Sequence, residues 1–248
     1  MKEPANAHTD QGYYKNLVWT DICNTILPTS EKRHQEMILS RKSKKGWGSP
    51  GAKCSLKSKN LKGKPESLKQ NSWDAQRVWW APVFTRGKLH IVMLGDGFPG
   101  ETSEGAAILV AKVRTALNIR FQGSTPPKIL FTDRGQGFYD KGHGRITHQY
   151  KAALQEHGLK NYYGDDAGIQ PGTLQELLLH ETAAAWIRRR ETVTQIKKPW
   201  TETPEQYGQR LRGICQYIND NFEVENLCRA LPQRLDDLIE RDGDRINK

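Results

Sequence analysis

Two short apolar runs in this chain each end on an aspartate. Residues 17–20 lead to Asp21, and residues 128–132 lead to Asp133. Runs of this kind are typical of strands in the interior of a sheet, and a carboxylate at the end of such a strand projects at the sheet edge where ligands bind. Two such strands side by side would bring both carboxylates together. Because crowded carboxylates repel each other, the pattern predicts a divalent cation, Mg²⁺ or Mn²⁺, and phosphoryl transfer as the chemistry.

The elements that must position these carboxylates follow from the hydrophobic pattern along the chain. Residues 16–22 read as a buried strand, and residues 77–84 and 88–94 read as a hairpin in which Pro82 predicts an edge or bulged first strand. Further elements are a helix at about 31–39, a capped helix at about 102–118, the strand ending at Asp133, a helix at about 147–157, a short strand at Tyr162–Tyr163, a helix from Thr173 to Arg190, a capped start at Thr203–Pro204 and a helix at 232–241. The sum is an α/β fold, a mixed sheet flanked by helices, with a helical C-terminal extension.

The positive charge of the chain is concentrated in one block. The formal net charge is +10, and between Glu31 and Lys69 twelve Lys or Arg face three Glu, which gives +9. Such a block predicts a polyanionic partner, because each phosphate neutralised releases a counterion; a solvated, disordered linker is the alternative. The basic cluster within it is the expected nucleic-acid contact and could serve as a nuclear import signal: Arg41, Lys42, Lys44 and Lys45.

Cysteine usage and hydropathy exclude several classes. The four cysteines lie far apart without a C-x-x-C pair, which indicates neither a zinc site nor a disulfide framework and fits a reducing compartment. No run approaches the roughly 20 apolar residues of a membrane span, so a membrane partner is not expected. We divide the chain into residues 1–39 with the first core strand, a basic insert at 40–72, the remaining core at 73–190, and the helical extension at 191–248.

The order of these elements resembles the ribonuclease H-like catalytic domain of DDE transposases, most of all the mariner-like branch. In that branch the first acid lies in a motif of the type apolar-apolar-S/T-D-E, which residues 18–22 (VWTDI) resemble, and the second follows an apolar strand as Asp133 does. The third lies some thirty-odd residues later, close to a proline; here 32 residues separate Asp133 from Asp166, and Pro171 follows. The likeness covers roughly residues 13–190.

The resemblance implies a mechanism and a ligand set. Asp21, Asp133 and Asp166 would bind two Mg²⁺ or Mn²⁺ ions that act on DNA phosphodiesters, with Arg134 positioning the scissile strand. The third acid stays open, since Asp165 is adjacent and Glu181 lies in the following helix, where other DDE enzymes keep their glutamate. Glu176 has a structural alternative as part of a T-x-x-E capping box.

The resemblance also leaves the activity open. Mariner-like transposases carry helix-turn-helix modules ahead of the catalytic domain, and only about 16 residues precede the first predicted strand here. The sequence therefore predicts a catalytic fragment, a domesticated derivative or a relic, acting on DNA in the nucleus, with a homodimer as one option. A catalytically dead nucleic-acid-binding protein with the same fold is the alternative, and a third possibility is a partner-binding protein that uses the C-terminal helices.

Overall fold

A computed structural model describes residues 13–35, 37, 75–133, 135, 137–140, 145–162 and 179–240. Its six strands form one mixed sheet. The strands are β1 (Leu17–Thr20), β2 (Cys23–Pro28), β3 (Ala75–Thr85), β4 (Lys88–Met93), β5 (Ile129–Phe131) and β6 (Lys160–Asn161). Strand β3 pairs with β1, β2 and β4, and the sheet continues from β1 through β5 to β6.

The two strands that precede the aspartates lie next to each other in the middle of this sheet. Strand β1 is antiparallel to β3 on one side and parallel to β5 on the other, and β5 is also parallel to β6. Both β1 and β5 therefore have two neighbours. Leu17, Val18 and Trp19, with Leu130 and Phe131, are fully buried, as expected of interior strands covered on both faces. The prediction of adjacent, parallel, interior strands is confirmed.

Helices connect and cover the strands in the order that the hydrophobic pattern predicts. They are α1 (Ser103–Arg120), α2 (His148–Glu156), α3 (Leu179–Val193), α4 (Pro204–Asn221), α5 (Val224–Arg229) and α6 (Leu231–Glu240). Helix α1 begins after Thr102, whose hydroxyl accepts a hydrogen bond from the Gly105 N–H at 3.1 Å. Residues 31–35 are also helical, as predicted. No described helix is long and apolar enough to cross a membrane.

The sheet divides its buried side chains between two faces. On one face Val18 and Leu130 pack with residues of α1 and α2, including Leu109, Val113 and Leu154. Side chains alternate along a strand, so Trp19 and Phe131 project from the opposite face, where their rings lie 6.2 Å apart. Helix α3 packs against β1. Because α1 and α2 occupy the first face, we place α3 on the face of Trp19.

The chain divides into two compact units. One comprises the described parts of 1–23, 79–194 and 208–248, and holds the central strands with α1, α2 and α3. The other comprises the described parts of 24–78 and 195–207. Within this second unit the hydroxyls of Thr25 and Tyr207 share a hydrogen bond of 2.6 Å, and the rings of His34 and Trp200 lie 5.7 Å apart.

Three predictions about local structure need correction. Strand β3 is not an edge strand, since β1 pairs with it at Val83 and Phe84 and β4 pairs with it on the other side, and the register with β4 runs unbroken through Pro82. The predicted strand at 16–22 is β1, which ends at Thr20, with a second strand beginning at Cys23. The strand expected at Tyr162 lies two residues earlier, at Lys160–Asn161, where the Lys160 N–H donates to the Lys128 carbonyl.

The other local predictions agree with the structure or lie outside it. The turn of the predicted hairpin is formed by Arg86 and Gly87, which have positive φ of 47° and 68°. Helix α4 begins with the expected reciprocal cap, in which Thr203 and Gln206 exchange backbone-to-side-chain hydrogen bonds of 3.0 and 3.3 Å. The start of the helix predicted from Thr173 and the basic insert at 40–72 lie outside the described residues.

Candidate metal site

The two acids follow the same end of the central strand pair. In the parallel pair, Val18 stands beside Leu130 and Trp19 beside Phe131. Strand β1 ends at Thr20 and β5 at Phe131, so Asp21 and Asp133 come one and two residues after the ends of neighbouring strands. Alternation from Trp19 and Phe131 predicts that both side chains point to the face where we place α3.

Pro82 explains why β1 ends immediately before Asp21. The Leu94 N–H donates to the Trp79 carbonyl at 3.0 Å, so odd-numbered residues of β3 direct their backbone groups toward β4. Even-numbered residues, Pro82 among them, direct theirs toward β1. The register Trp19 to Phe84, continued by two residues, sets Asp21 opposite Pro82. Because proline has no N–H, the Asp21 carbonyl finds no ladder donor there, and the backbone leaves the sheet at the acid.

The Asp133 carboxylate is held by the loop that follows it. Its Oδ1 accepts a hydrogen bond from the Gly135 N–H at 2.9 Å. A Cβ at Gly135 would lie 2.8 Å from the same oxygen, so only glycine permits this approach. A Cβ at Gly137 would lie 2.7 Å from the Thr102 carbonyl oxygen, which shows that the loop also packs closely on the residues before α1. The Phe138 N–H donates to the Gly135 carbonyl at 3.0 Å, so the chain turns directly after the acid.

Burial affects the pKa of the Asp133 carboxyl. Desolvation raises the pKa of the Asp133 carboxyl above its usual value, and the Gly135 N–H lowers it in part. A neighbouring cation would act in the same sense as the N–H, because both favour the ionised form. On the α2 side, the fully buried Tyr150 has a raised pKa, first through burial and also through the charge of Asp133. Tyr150 is therefore a neutral hydroxyl in the core on the α2 side of the sheet.

The pKa of the buried Cys23 thiol, two residues after Asp21, is affected by several charged side chains. Burial raises the pKa of this thiol most, and the charge of Asp21 raises it further. Arg188 lowers it, while Glu101 and Asp133 add smaller increases. The charges of three carboxylates and one guanidinium therefore act on this thiol at the start of β2.

The other predicted ligands and contacts lie beyond what the structure describes. Asp165 and Asp166, with Arg134, fall in segments outside the described residues, as do all four basic residues at 41–45. Glu181 lies in α3, and only its backbone is described. Among the described residues, no group of three or more His, Cys, Asp or Glu side chains is arranged to hold a metal ion. The described part of the site is therefore the pair Asp21 and Asp133.

The sequence reading missed two charged residues near this pair. Glu101 immediately precedes the N-cap of α1, and the only signal for it was its acidic type in the turn at Pro99–Gly100. Arg188 opens a run of three arginines in α3, which could have drawn attention as a phosphate-binding feature. Both are far from Cys23 in sequence, and their charges act on it through tertiary packing.

Comparison with known proteins gives no match: no family model matches the chain, and no curated protein matches it significantly.

Proposed function

We propose that this chain acts on DNA phosphodiester bonds by metal-ion catalysis, as a ribonuclease H-like domain of the DDE type derived from a mariner-like transposase. The observation that carries the proposal is the parallel pairing of β1 and β5, two interior strands that lead at the same end to Asp21 and Asp133. The order of elements supports it: a hairpin and α1 separate the two acid-bearing strands, and α2, β6 and α3 follow. This is the order that the resemblance implies.

The donor set fits a hard divalent cation. Asp21 and Asp133 supply carboxylate oxygens, and the third ligand is Asp166, with Glu181 and Asp165 as alternatives. Burial raises the pKa of the Asp133 carboxyl, and a bound cation would favour its ionised form. When bound, Mg²⁺ or Mn²⁺ would activate water or a DNA 3′-hydroxyl and stabilise the leaving oxygen.

The chain's own residues prepare the acids for this role. Pro82 releases the Asp21 backbone from the ladder, and the Gly135 N–H orients the Asp133 carboxylate. The protein supplies no nucleophile in this scheme. The basic residues Arg41, Lys42, Lys44, Lys45 and Arg134 are proposed to contact phosphates, with a nuclear location and a homodimer as further parts of the proposal.

A second candidate is a nucleic-acid-binding protein with the same fold and no catalysis. It is favoured by the local hydrogen bonds of both acids: Asp21 Oδ1 accepts from the Ile22 N–H at 2.7 Å, and Asp133 Oδ1 accepts from the Gly135 N–H. Such bonds also satisfy ordinary aspartates at strand ends, without any metal.

Nicking of supercoiled plasmid DNA in Mn²⁺ or Mg²⁺ tests the proposal. The wild-type chain should nick DNA with little sequence preference, and Asp21→Asn or Asp133→Asn should abolish nicking while leaving DNA binding nearly unchanged. Asp96→Asn is the matched control, because Asp96 is exposed in the loop after β4. Comparing Asp166→Asn with Glu181→Gln identifies the third ligand. Wild-type protein that binds DNA but never cuts it at any pH between about 6 and 9 would support the second candidate instead.

A further inference from the structure

The end of the central sheet opposite Asp21 and Asp133 carries a cluster of positive charge. Strands β1 and β5 are parallel, and both begin at this end. Hydrogen bonds join three segments here, residues 13–18, 84–90 and 118–130. Together these segments contain five Lys or Arg and no Asp or Glu. We call the five cations the basic end: Lys15, Arg86, Lys88, Arg120 and Lys128.

Arg86 connects the three segments. Its Nε donates a hydrogen bond to the Lys15 carbonyl at 3.0 Å, and its Nη2 donates to the Thr125 carbonyl at 2.8 Å. The guanidinium also lies over the Phe121 ring, 4.5 Å from its centroid. Because both acceptors are neutral carbonyls, these contacts fix the guanidinium without neutralising its charge.

Arg120 and Lys88 place further charge beside Arg86. The Arg120 guanidinium lies 5.8 Å from the centroid of the same Phe121 ring, and its Nη1 lies 3.5 Å from the His90 Nδ1. Lys88 precedes His90 by two residues in β4, so its side chain projects from the same face of the strand. Among the described residues, no salt bridge engages any member of the basic end. Four members are exposed: Lys15, Lys88, Arg120 and Lys128.

Acidic residues lie on the other side of the hairpin turn, where α4 and α5 pack. The Asn219 side chain exchanges two hydrogen bonds of 2.9 Å with the Leu89 backbone, and a Cβ at Gly87 would lie 2.5 Å from the Glu225 Cβ. That side of the turn is therefore covered, and the basic end is open on the α1 side. The carboxylates of the covered side have local partners: Asp220 with Gln216, Glu223 with Asn226 and Glu225 with Arg229.

We propose that the basic end binds the phosphate backbone of duplex DNA, as a second contact surface separate from the acids. Like charges held together by neutral groups repel one another, and bound phosphates would relieve that repulsion. Fixed guanidinium groups also present paired N–H donors that match phosphate oxygens. Such contacts position the duplex and carry no sequence information.

The distance between the basic end and the acids makes the two surfaces separable. Strands rise about 3.3 Å per residue, so Lys15 and Lys128 lie roughly 15–20 Å from Asp21 and Asp133 along β1 and β5. This exceeds the Debye length of about 10 Å at 0.1 M salt. The choice of DNA as the partner rests on the proposed function, whereas the surface itself does not involve the acids.

Binding of a DNA duplex of about 20 base pairs to the full chain tests the basic end. Affinity is measured at several salt concentrations between about 50 and 200 mM. The double variant Lys88→Gln with Lys128→Gln should bind on the order of tenfold more weakly and lower the slope of log affinity against log salt by about 1.8, since each phosphate contact contributes about 0.9. The matched control is Lys112→Gln with Arg212→Gln, two exposed cations of α1 and α4 outside the basic end, and it should change affinity less than about threefold.

Equal affinities and salt slopes for the two double variants overturn the inference. Vesicles of equal parts phosphatidylserine and phosphatidylcholine test a lipid surface as the partner: loss of vesicle binding in Lys88→Gln with Lys128→Gln, at the DNA affinity of the control, overturns the inference as well. Equal melting temperatures verify that neither double variant is unfolded.

Plasmid nicking in Mn²⁺ separates this inference from the proposed function. At saturating protein, Lys88→Gln with Lys128→Gln should nick DNA as fast as the wild type, because neither lysine lies near the acids. Selective loss of DNA affinity in this variant supports the inference even if no protein nicks DNA, in which case the catalytic proposal alone fails.

Discussion

Replacing Gly135 with alanine should displace the Asp133 carboxylate. The new Cβ would lie 2.8 Å from Oδ1, 3.3 Å from Oδ2 and 3.4 Å from Cγ of Asp133. Ordinary contacts begin near 3.4 Å. The carboxylate must therefore withdraw by about 0.6 Å from the position it now holds, and the 2.9 Å hydrogen bond from the residue 135 N–H would lengthen beyond useful range.

The size of the effect follows from that displacement. Loss of a hydrogen bond to a charged acceptor costs about 1.5–3 kcal/mol, and alanine returns about 0.4–1 kcal/mol by restricting the unfolded chain. We expect a net loss of about 1–2 kcal/mol, which lowers the melting temperature of a chain of this size by roughly 2–8 °C. A misplacement of 1 Å can cost about 100-fold in rate, so 0.6 Å should cost about tenfold in nicking.

Thermal unfolding and plasmid nicking of Gly135→Ala measure both effects. Gly213→Ala is the control, because Gly213 lies inside α4 with open space around the position of a Cβ, and alanine there should stabilise the helix by about 0.5–1 kcal/mol. A Gly135→Ala protein as stable and as active as the wild type would refute the reasoning, since Asp133 would then not depend on the loop glycine.

Three further predictions concern other parts of the fold. Burial, with the charges of Arg120 and Lys88, lowers the pKa of His90 to about 4. Between pH 6.5 and pH 4 the unfolded chain therefore binds a proton at His90 that the folded chain does not bind. The free energy of unfolding should fall by about 1.4 kcal/mol per pH unit as the pH drops through this range. Urea unfolding at pH 7 and 5 should show a smaller loss for His90→Gln; an equal loss would contradict the assignment. Thr203→Ala removes the cap of α4 and should cost about 1 kcal/mol in the same assay, and no change would mean that the cap is unimportant. Pro82→Ala restores an N–H aimed at Asp21, so the amide of residue 82 should exchange slowly with solvent, whereas fast exchange would show that β1 still ends at Thr20.

Much of the sheet was predictable because its signals are local. The apolar runs before Asp21 and Asp133 specify buried strands, and the cap at Thr102 with the apolar spacing after it specifies α1. The antiparallel hairpin was also predicted, from two apolar runs joined by a short turn, and the parallel pairing of β1 with β5 from the apolar character of both strands. The sequence could not supply the register, which depends on how whole strands pack and which aligns the strand ends that precede Asp21 and Asp133.

The errors came from features whose meaning depends on neighbouring strands. Pro82 signals a missing donor, but only the pairing of β3 shows that the missing donor faces the end of β1 and not an open edge. Strand β2 was missed because Asn24 and Pro28 weaken its propensity, which pairing with β3 overrides. Glu101 and Arg188 lie far from Cys23 in sequence, so their charge effects on this thiol arise only from tertiary packing.

Titration of the chain with Mn²⁺ in a calorimeter tests the central claim most directly, because it requires neither DNA nor turnover. The account predicts saturable binding to the wild type and to the control Asp96→Asn, and loss of that binding in both Asp21→Asn and Asp133→Asn. Absence of binding to the wild type, or equal binding to Asp133→Asn, would contradict a metal site formed by the two acids at the ends of β1 and β5.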